Sequence, residues 1–172
     1  MNEYEGILSL SKQKLKQADH IVSVTHLLLK EPKLLLSSLD TLFDAVCLAM
    51  KALLNYEKSR RSIPIFGDSF SSQFSVFATR IVPKYGISKN YVTFISHLKE
   101  FLDHHKRSRV EFRRNQSYVM ADDDYEMKEL TSDLLKEQLA FAKMFITEIS
   151  LILIREQEHS IEPEMTRQIH RK

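Results

Sequence analysis

The sequence predicts a mainly α protein, an up-and-down bundle of about five helices with a small β-hairpin before the last helix. The chain has 172 residues with only 3 Gly and 4 Pro, a composition that excludes disordered, collagen-like and turn-rich all-β proteins. Apolar residues recur at intervals of three and four over most of the length, which is typical of amphipathic helices. A chain of this size forms one domain, and we place it at residues 1–158.

Two long helices are predicted at the start of the chain. The first runs from Tyr4 to Lys30 and carries Leu28 and Leu29 on its apolar side. Glu31-Pro32 ends it, because the residue before a proline avoids the helical region and proline suits the first turn of the next helix. The second helix runs from about Lys33 to Glu57. Since the connection is short, the two helices form an antiparallel hairpin.

Two shorter helices are predicted in the middle of the chain. Residues 59–68 lose the helical period and form a connecting loop. The third helix covers about Ser69 to Ile81 and ends near Pro83. Ser88 caps the fourth helix, which reaches about Lys106.

The hairpin and the last helix complete the predicted fold. Residues 108–130 contain two short β-prone pieces, VEF and YVMA, separated by the turn-like RRNQS. Thr131 or Ser132 opens the last helix, which reaches about Gln157. Its run from Ile149 to Ile154 is apolar nearly all round, which suits a central helix or one half of a dimer interface. Residues 159–172 have no apolar stripe, so we expect a frayed or disordered tail.

Composition and charge exclude several classes of protein. The net charge of +2 identifies no partner. The longest uncharged run, the eleven residues from Ser69 to Thr79, is shorter than the roughly 20 apolar residues of a membrane span. Glu3 and Glu5 stand where a signal peptide has basic residues, so we expect a cytoplasmic protein. Cys47 is the only cysteine, which excludes an intramolecular disulfide and a cysteine-based zinc site.

Charge is most strongly separated in two neighbouring segments of the chain. We call residues 104–114 the basic segment and residues 122–129 the acidic segment. The basic segment has a local charge of +4 and the acidic segment −4. Basic side chains with aromatic neighbours on a hairpin are what a phosphate backbone and unstacked bases require. The alternative is that the acidic segment neutralises the basic one. The candidate RNA-binding residues are Lys106, Arg107, Arg109, Phe112, Arg113, Arg114 and Tyr118.

Neither a metal, a cofactor nor a catalytic residue is predicted. A di-iron bundle requires two Glu-x-x-His turns, and the chain has only Glu156 to His159. Adjacent residues on a helix point about 100° apart, so His104 and His105 cannot both face one ion, and we expect a solvated helix end there. Cys47 lies in the apolar stretch AVCLAM, which is typical of an inert core thiol.

The order of elements, two long helices, shorter helices and a charged loop before a last long helix, resembles the HEPN superfamily. Residues 14–57 and 106–146 also resemble an uncharacterised archaeal family with the same order. The resemblance implies an RNA-associated and dimeric helical domain. Active HEPN members cleave RNA with an arginine followed by four to six residues and a histidine. Arg114-Asn115 begins such a motif, but Val119 stands where the histidine would be, and Arg155 to His159 is one residue too short.

The sequence therefore predicts a non-enzymatic binding module that engages RNA or a ribonucleoprotein through the hairpin, as a homodimer through the last helix. Two alternatives stay open. One is an adaptor or antidote-type protein whose hairpin or last helix docks a polypeptide. The other is a ribonuclease in which His104 or His105 carries the proton.

Overall fold

Seven helical segments and three strands make up the computed structural model, which describes the backbone of residues 2–169 and the side chains of residues 2–159. The helices are α1 (Glu3–His20), α2 (His26–Leu29), α3 (Lys33–Ser59), α4 (Phe70–Val76), α5 (Val82–Tyr85), α6 (Lys89–Arg107) and α7 (Ser132–Ile169). The strands are β1 (Val110–Arg114), β2 (Ser117–Ala121) and β3 (Met127–Leu130). Single π-helical turns, Ile21–Thr25 and Phe77–Ile81, join α1 to α2 and α4 to α5. Two pairs of segments are thus continuous helices, and the predicted mainly α fold with about five helices is confirmed.

The first π-helical turn explains why the apolar stripe predicted for the first helix fails at its end. A π turn has more residues per turn than an α turn, so it changes which side chains face the core downstream. His26, which was not on the predicted apolar side, faces the core and is only 3% exposed. Leu28 and Leu29, predicted on the apolar side, are 77% and 66% exposed.

The third helix was predicted to end near Pro83, but it continues to Tyr85. Pro83 lies in the first turn of α5, where the N–H that proline lacks is not needed. The helix ends at Gly86, whose φ of +64° is a left-handed conformation that glycine adopts without strain. The predicted cap at Ser88 is confirmed, since its side chain accepts a hydrogen bond from the backbone N–H of Asn90.

The core lies around α3, which packs along α1 and α7 and contacts α6. α7 contributes the aromatic centre of this core: the ring of Phe145 lies 5.9 Å from Phe77 and 5.2 Å from Tyr91. The apolar run Ile149 to Ile154 supplies buried residues to the same core, including Ile149 and Leu153. The last helix is therefore central to the bundle, one of the two positions predicted for it.

A three-stranded antiparallel sheet in the order β1-β2-β3 stands where a hairpin was expected. Arg114 pairs with Ser117, so a two-residue turn, Asn115-Gln116, closes the first hairpin. Asn115 has a φ of +56°, which asparagine tolerates better than most residues. The additional strand, β3, is short and without β-branched residues, and it forms by pairing with β2 rather than from its own propensity.

The end of the chain is described only in part. α7 starts after Thr131, whose Oγ1 accepts a hydrogen bond from the backbone N–H of Leu134 at 3.1 Å. The last helix was predicted to end near Gln157, but its helical backbone continues to Ile169. The side chains from residue 160 onward and all of residues 170–172 lie outside the part of the chain that the structure describes, so the fraying expected for residues 159–172 stays a prediction. Within residues 2–169, no helix combines the length and hydropathy that a bilayer crossing requires.

Candidate nucleic-acid interface

The three-stranded sheet has an inner face toward the helices and an outer face opposite to it. Strand residues alternate between the two faces. Tyr118, Met120 and Leu130 belong to the hydrophobic core and define the inner face. The pairing register places the alternate residues on the outer face. The outer-face residues are Val110, Phe112, Arg114, Ser117, Val119, Ala121, Met127 and Glu129.

Strand β1 is the most accessible part of the sheet. All five of its residues are exposed, and within residues 2–169 its outer edge has no partner strand. Phe112 is 42% exposed on the outer face, and Arg114 lies two residues further along the same face. An accessible aromatic ring and a guanidinium group therefore lie side by side on an open strand.

The acidic segment neutralises little of the basic segment. Arg109 Nε lies 2.8 Å from Asp123 Oδ1, and both side chains are mostly exposed. Arg113 Nε donates a hydrogen bond to the backbone carbonyl of Asn115 at 3.0 Å. Among residues 2–159, no acidic side chain forms an ion pair with the remaining candidate cations. These cations are Lys106, Arg107, Arg113 and Arg114.

Tyr118 differs from the other candidate residues because it is buried, at 7% exposure, on the inner face. Its hydroxyl donates a hydrogen bond to Glu111, and His105 Nδ1 lies 2.6 Å from the other oxygen of the same carboxylate. Burial, followed by the hydrogen bond to Glu111, raises the pKa of Tyr118 to about 12. Tyr118 is thus a neutral hydrogen-bond donor that holds Glu111, not a ring that a base can stack on.

A cleft of about 370 Å³ extends the basic surface from the end of α6 to the start of α3. Lys106 and His105 line it from α6, and Lys33 and Asp40 line it from α3. His105 links this cleft to β1, since its Nδ1 lies 2.6 Å from Glu111.

His104 was expected at a solvated helix end, but its side chain is completely buried. The reason is the sheet, since His104 Nε2 lies 3.4 Å from the backbone carbonyl of Met120 in β2. His104 Nδ1 faces the turn between β2 and β3, where it comes together with carboxylate oxygens of Asp122 and Glu126. The three ligand atoms lie within 4.8 Å of one another. His105 faces Glu111 instead, in agreement with the predicted divergence of the two histidines.

This His-Asp-Glu cluster is the part of the site that sequence reasoning missed. Its members are 18 and 4 residues apart along the chain, and no local spacing joins them. Only the pairing of β3 with β2 brings the turn to the end of α6. The signal in the sequence that could have indicated this cluster was the acidic segment, which directly follows the β-prone YVMA.

Two other ionisable groups are structural. Burial raises the pKa of the Cys47 thiol to about 12, which leaves it un-ionised and supports the inert role predicted for it. Glu57 is completely buried and accepts hydrogen bonds from Lys84, Ser62 and Tyr85. Burial acts to raise the pKa of Glu57, but these three donors outweigh it and hold the pKa below the ordinary value of 4.5.

Comparisons of the chain with protein-family models, curated proteins and solved structures gave no match. The resemblance to the HEPN superfamily therefore stays a prediction.

Proposed function

We propose that the protein is a non-enzymatic, HEPN-like RNA-binding module that engages RNA or a ribonucleoprotein through the outer face of its sheet and the adjoining basic side chains. The observation that carries the proposal is the open strand β1, which holds Phe112 and Arg114 side by side and exposed. Stacking of unpaired bases on aromatic rings, with arginine contacts to phosphates, is the usual chemistry of single-stranded RNA recognition. We place this module in the cytoplasm.

The charge arrangement supports the same proposal. Among the described arginines and lysines of the basic segment, only Arg109 forms an ion pair with the acidic segment, and that pair is exposed, so it contributes about 0 to 1 kcal/mol. Arg107, Arg113 and Arg114 have no such partner among the described side chains, so they are available to phosphates. Lys33 and Lys106 in the adjoining cleft extend the track for a phosphate backbone.

A binding role is favoured over a nuclease role by the surroundings of the histidines. His104 is completely buried, so its ring cannot reach a phosphodiester. His105 is partly exposed but sits beside the Glu111 carboxylate. Val119 occupies the position that the HEPN resemblance would give to the catalytic histidine, and it is 1% exposed.

The test is the fluorescence anisotropy of labelled single- and double-stranded RNA pools across a salt series. We expect single-stranded RNA to bind, with an affinity that falls steeply as salt rises, because phosphate contacts release counterions. The variant R107A/R113A/R114A should lose binding at every salt concentration that we test. The matched control, K12A/K16A/K136A, removes the same charge from the groove between α1 and α7 and should bind normally.

A separate variant tests the aromatic contact. Phe112→Leu keeps an apolar side chain but removes the ring, and stacking of one base contributes about 1–3 kcal/mol. We therefore expect weaker binding of single-stranded RNA with an unchanged salt slope. If the wild-type protein binds no RNA at low salt, or if the arginine variant and its lysine control bind alike, the proposal is wrong.

A second function, docking of a protein partner, is favoured by a groove of about 530 Å³ between α1 and α7. Its floor is apolar, and its rim carries four lysines and one aspartate. Those four are Lys12, Lys16, Lys136 and Lys143. An amphipathic helix with acidic flanks fits this arrangement in shape and charge. A labelled Glu/Leu amphipathic peptide should bind the wild-type protein and R107A/R113A/R114A equally, and should bind K12A/K16A/K136A poorly.

The proposed homodimer uses the part of α7 that faces away from the core. Met144, Leu151 and Ile154 are between 46% and 58% exposed, and the first two are seven residues apart on one side of the helix. Packing of this stripe against a second copy would cover it. Leu151→Glu should shift the protein from dimer to monomer in analytical ultracentrifugation, while Thr93→Glu, at an exposed threonine of α6, should not.

A further inference from the structure

We infer that His104, Asp122 and Glu126 bind one divalent first-row transition-metal ion, best matched by Zn²⁺, at the end of α6. The inference does not depend on RNA binding, since none of the three residues belongs to the proposed RNA-binding set. It rests on a buried histidine nitrogen that has no partner and that faces two carboxylates.

The orientation of the imidazole identifies the free nitrogen as a ligand atom. A backbone carbonyl only accepts hydrogen bonds, so His104 Nε2 carries the proton and donates it to Met120 at 3.4 Å. In the neutral imidazole, Nδ1 then carries the lone pair. It is inaccessible to solvent and has no hydrogen-bond partner among the described side chains, of which the nearest carboxylate oxygen, Asp122 Oδ2, is 3.7 Å away. This is the arrangement of metal-bound histidines, whose second nitrogen is commonly held by a carbonyl.

The negative charge of the two carboxylates in the cluster favours a bound cation. A lone pair and two carboxylates face one another, and Asp122 has only 11% of its side chain exposed. No lysine or arginine among residues 2–159 forms an ion pair with Asp122 or Glu126, since Arg109 is directed at Asp123. The cluster also lies at the C-terminal turn of α6, where the helix dipole favours positive charge.

The turn between β2 and β3 holds Asp122 in place. Oδ1 of Asp122 accepts hydrogen bonds from the backbone N–H groups of Asp124 and Glu126, at 3.1 and 2.9 Å. This leaves Oδ2, the oxygen that faces His104, free to bind an ion. Glu126 is exposed on the same turn, so its long side chain is free to close on the ion.

The donor set and its spacing select the metal. Zn–N and Zn–O bonds of about 2.1 Å in a tetrahedral site place two donor atoms about 3.4 Å apart, and His104 Nδ1 and Asp122 Oδ2 are separated by 3.7 Å. Imidazole favours transition metals, whereas Mg²⁺ and Ca²⁺ favour oxygen ligands alone. Three protein ligands leave at least one coordination position to water, the ligand count of an open rather than a closed zinc site.

The test is isothermal titration of the metal-stripped full chain with Zn²⁺, with Ca²⁺ and Mg²⁺ titrated separately. We expect one Zn²⁺ per chain and a Co²⁺ derivative whose visible d–d absorption indicates nitrogen and oxygen ligands. Glu126→Gln should weaken Zn²⁺ binding at least about tenfold, since even outer-shell changes commonly cost 10- to 100-fold. Because Glu126 is exposed, this variant should fold, which keeps the test valid if His104→Gln does not.

Two controls separate this site from adventitious binding. Asp124→Asn removes an exposed carboxylate from the same turn, and His97→Gln removes an exposed imidazole from the same helix. Both should bind Zn²⁺ like the wild-type protein. The inference is overturned if the wild-type chain binds no Zn²⁺, if Glu126→Gln binds as well as the two controls, or if Ca²⁺ or Mg²⁺ binds more tightly than Zn²⁺.

Discussion

The helical bundle and the three-stranded sheet treat their aromatic and charged residues in opposite ways. In the bundle, Phe145 is completely buried against other rings, and the buried Glu57 carboxylate has three donors. In the sheet region, Phe112 is exposed on an open strand, and the buried His104 has a nitrogen without a partner. The buried and fully bonded groups of the bundle stabilise the fold. The exposed ring and the unbonded nitrogen near the sheet are where we propose that ligands bind.

The strongest test of this difference compares two phenylalanines. Phe145→Ala should lower the free energy of unfolding by about 3–5 kcal/mol, because it leaves a cavity in the core. Phe112→Ala should lower it by less than about 1 kcal/mol, because the ring already contacts water. Urea denaturation followed by circular dichroism measures both. Similar losses in the two variants would show that the sheet carries as much of the stability as the core.

The second test compares two glutamates. Glu57→Gln removes a buried charge from its three donors and should cost about 2 kcal/mol of unfolding free energy, the usual range for hydrogen bonds to a charged group. Glu126→Gln should change stability by no more than about 0.5 kcal/mol in the absence of metal, since its side chain is exposed. The same urea experiment, run with a chelator, measures both. A large loss from Glu126→Gln would assign the turn a structural role.

Acidification provides a third and smaller test of the Glu57 network. The pKa of Glu57 is lower in the folded protein than its ordinary value, so the unfolded chain binds more protons as the pH falls. Its stabilising contribution is complete above the ordinary pKa and is lost as the pH falls through the folded pKa. The stability difference between wild-type protein and Glu57→Gln should therefore shrink below about pH 4, as measured by thermal unfolding. A difference that is independent of pH would mean that the carboxylate charge is not what the three donors stabilise.

The smallest expected effect concerns the ion pair between Arg109 of the basic segment and Asp123 of the acidic segment. Asp123→Asn breaks the contact with Arg109 and should change stability by less than about 0.5 kcal/mol, because both side chains are exposed. The same change frees Arg109 for phosphates, so RNA affinity at low salt should rise by about two- to threefold. Unchanged or weaker RNA binding would place Arg109 outside the interface.

The helical part of this fold was predictable from the sequence because each helix carries its own signals. Periodicity located the five helices, and Ser88 and Thr131 marked where two of them begin. The two π-helical turns were not predictable, since nothing local distinguishes Ile21–Thr25 from ordinary helix. Their consequences, the exposure of Leu28 and the continuation of the helix through Pro83, were therefore missed.

The candidate site was predictable only where it depends on neighbours along the chain. Phe112 and Arg114 share a face because they are two residues apart on a strand, and the β-prone pattern was sufficient to indicate that strand. The inward direction of Tyr118 and the burial of His104 depend on which face of the sheet meets the helices. The metal-ligating cluster depends in addition on β3, whose sequence does not favour a strand without its partner.

The open edge of β1 also bears on how the protein behaves at high concentration. An exposed strand edge is a template on which further chains can add, and charged side chains are the usual protection against such growth. In β1 the charged residues are Glu111, Arg113 and Arg114, while Val110 and Phe112 present apolar surface. The arginines that we assign to RNA would thus also keep the chains apart. A ligand that neutralised them would bring the protein closer to fibrillar self-association, so the bound state is the one in which solubility most needs to be checked.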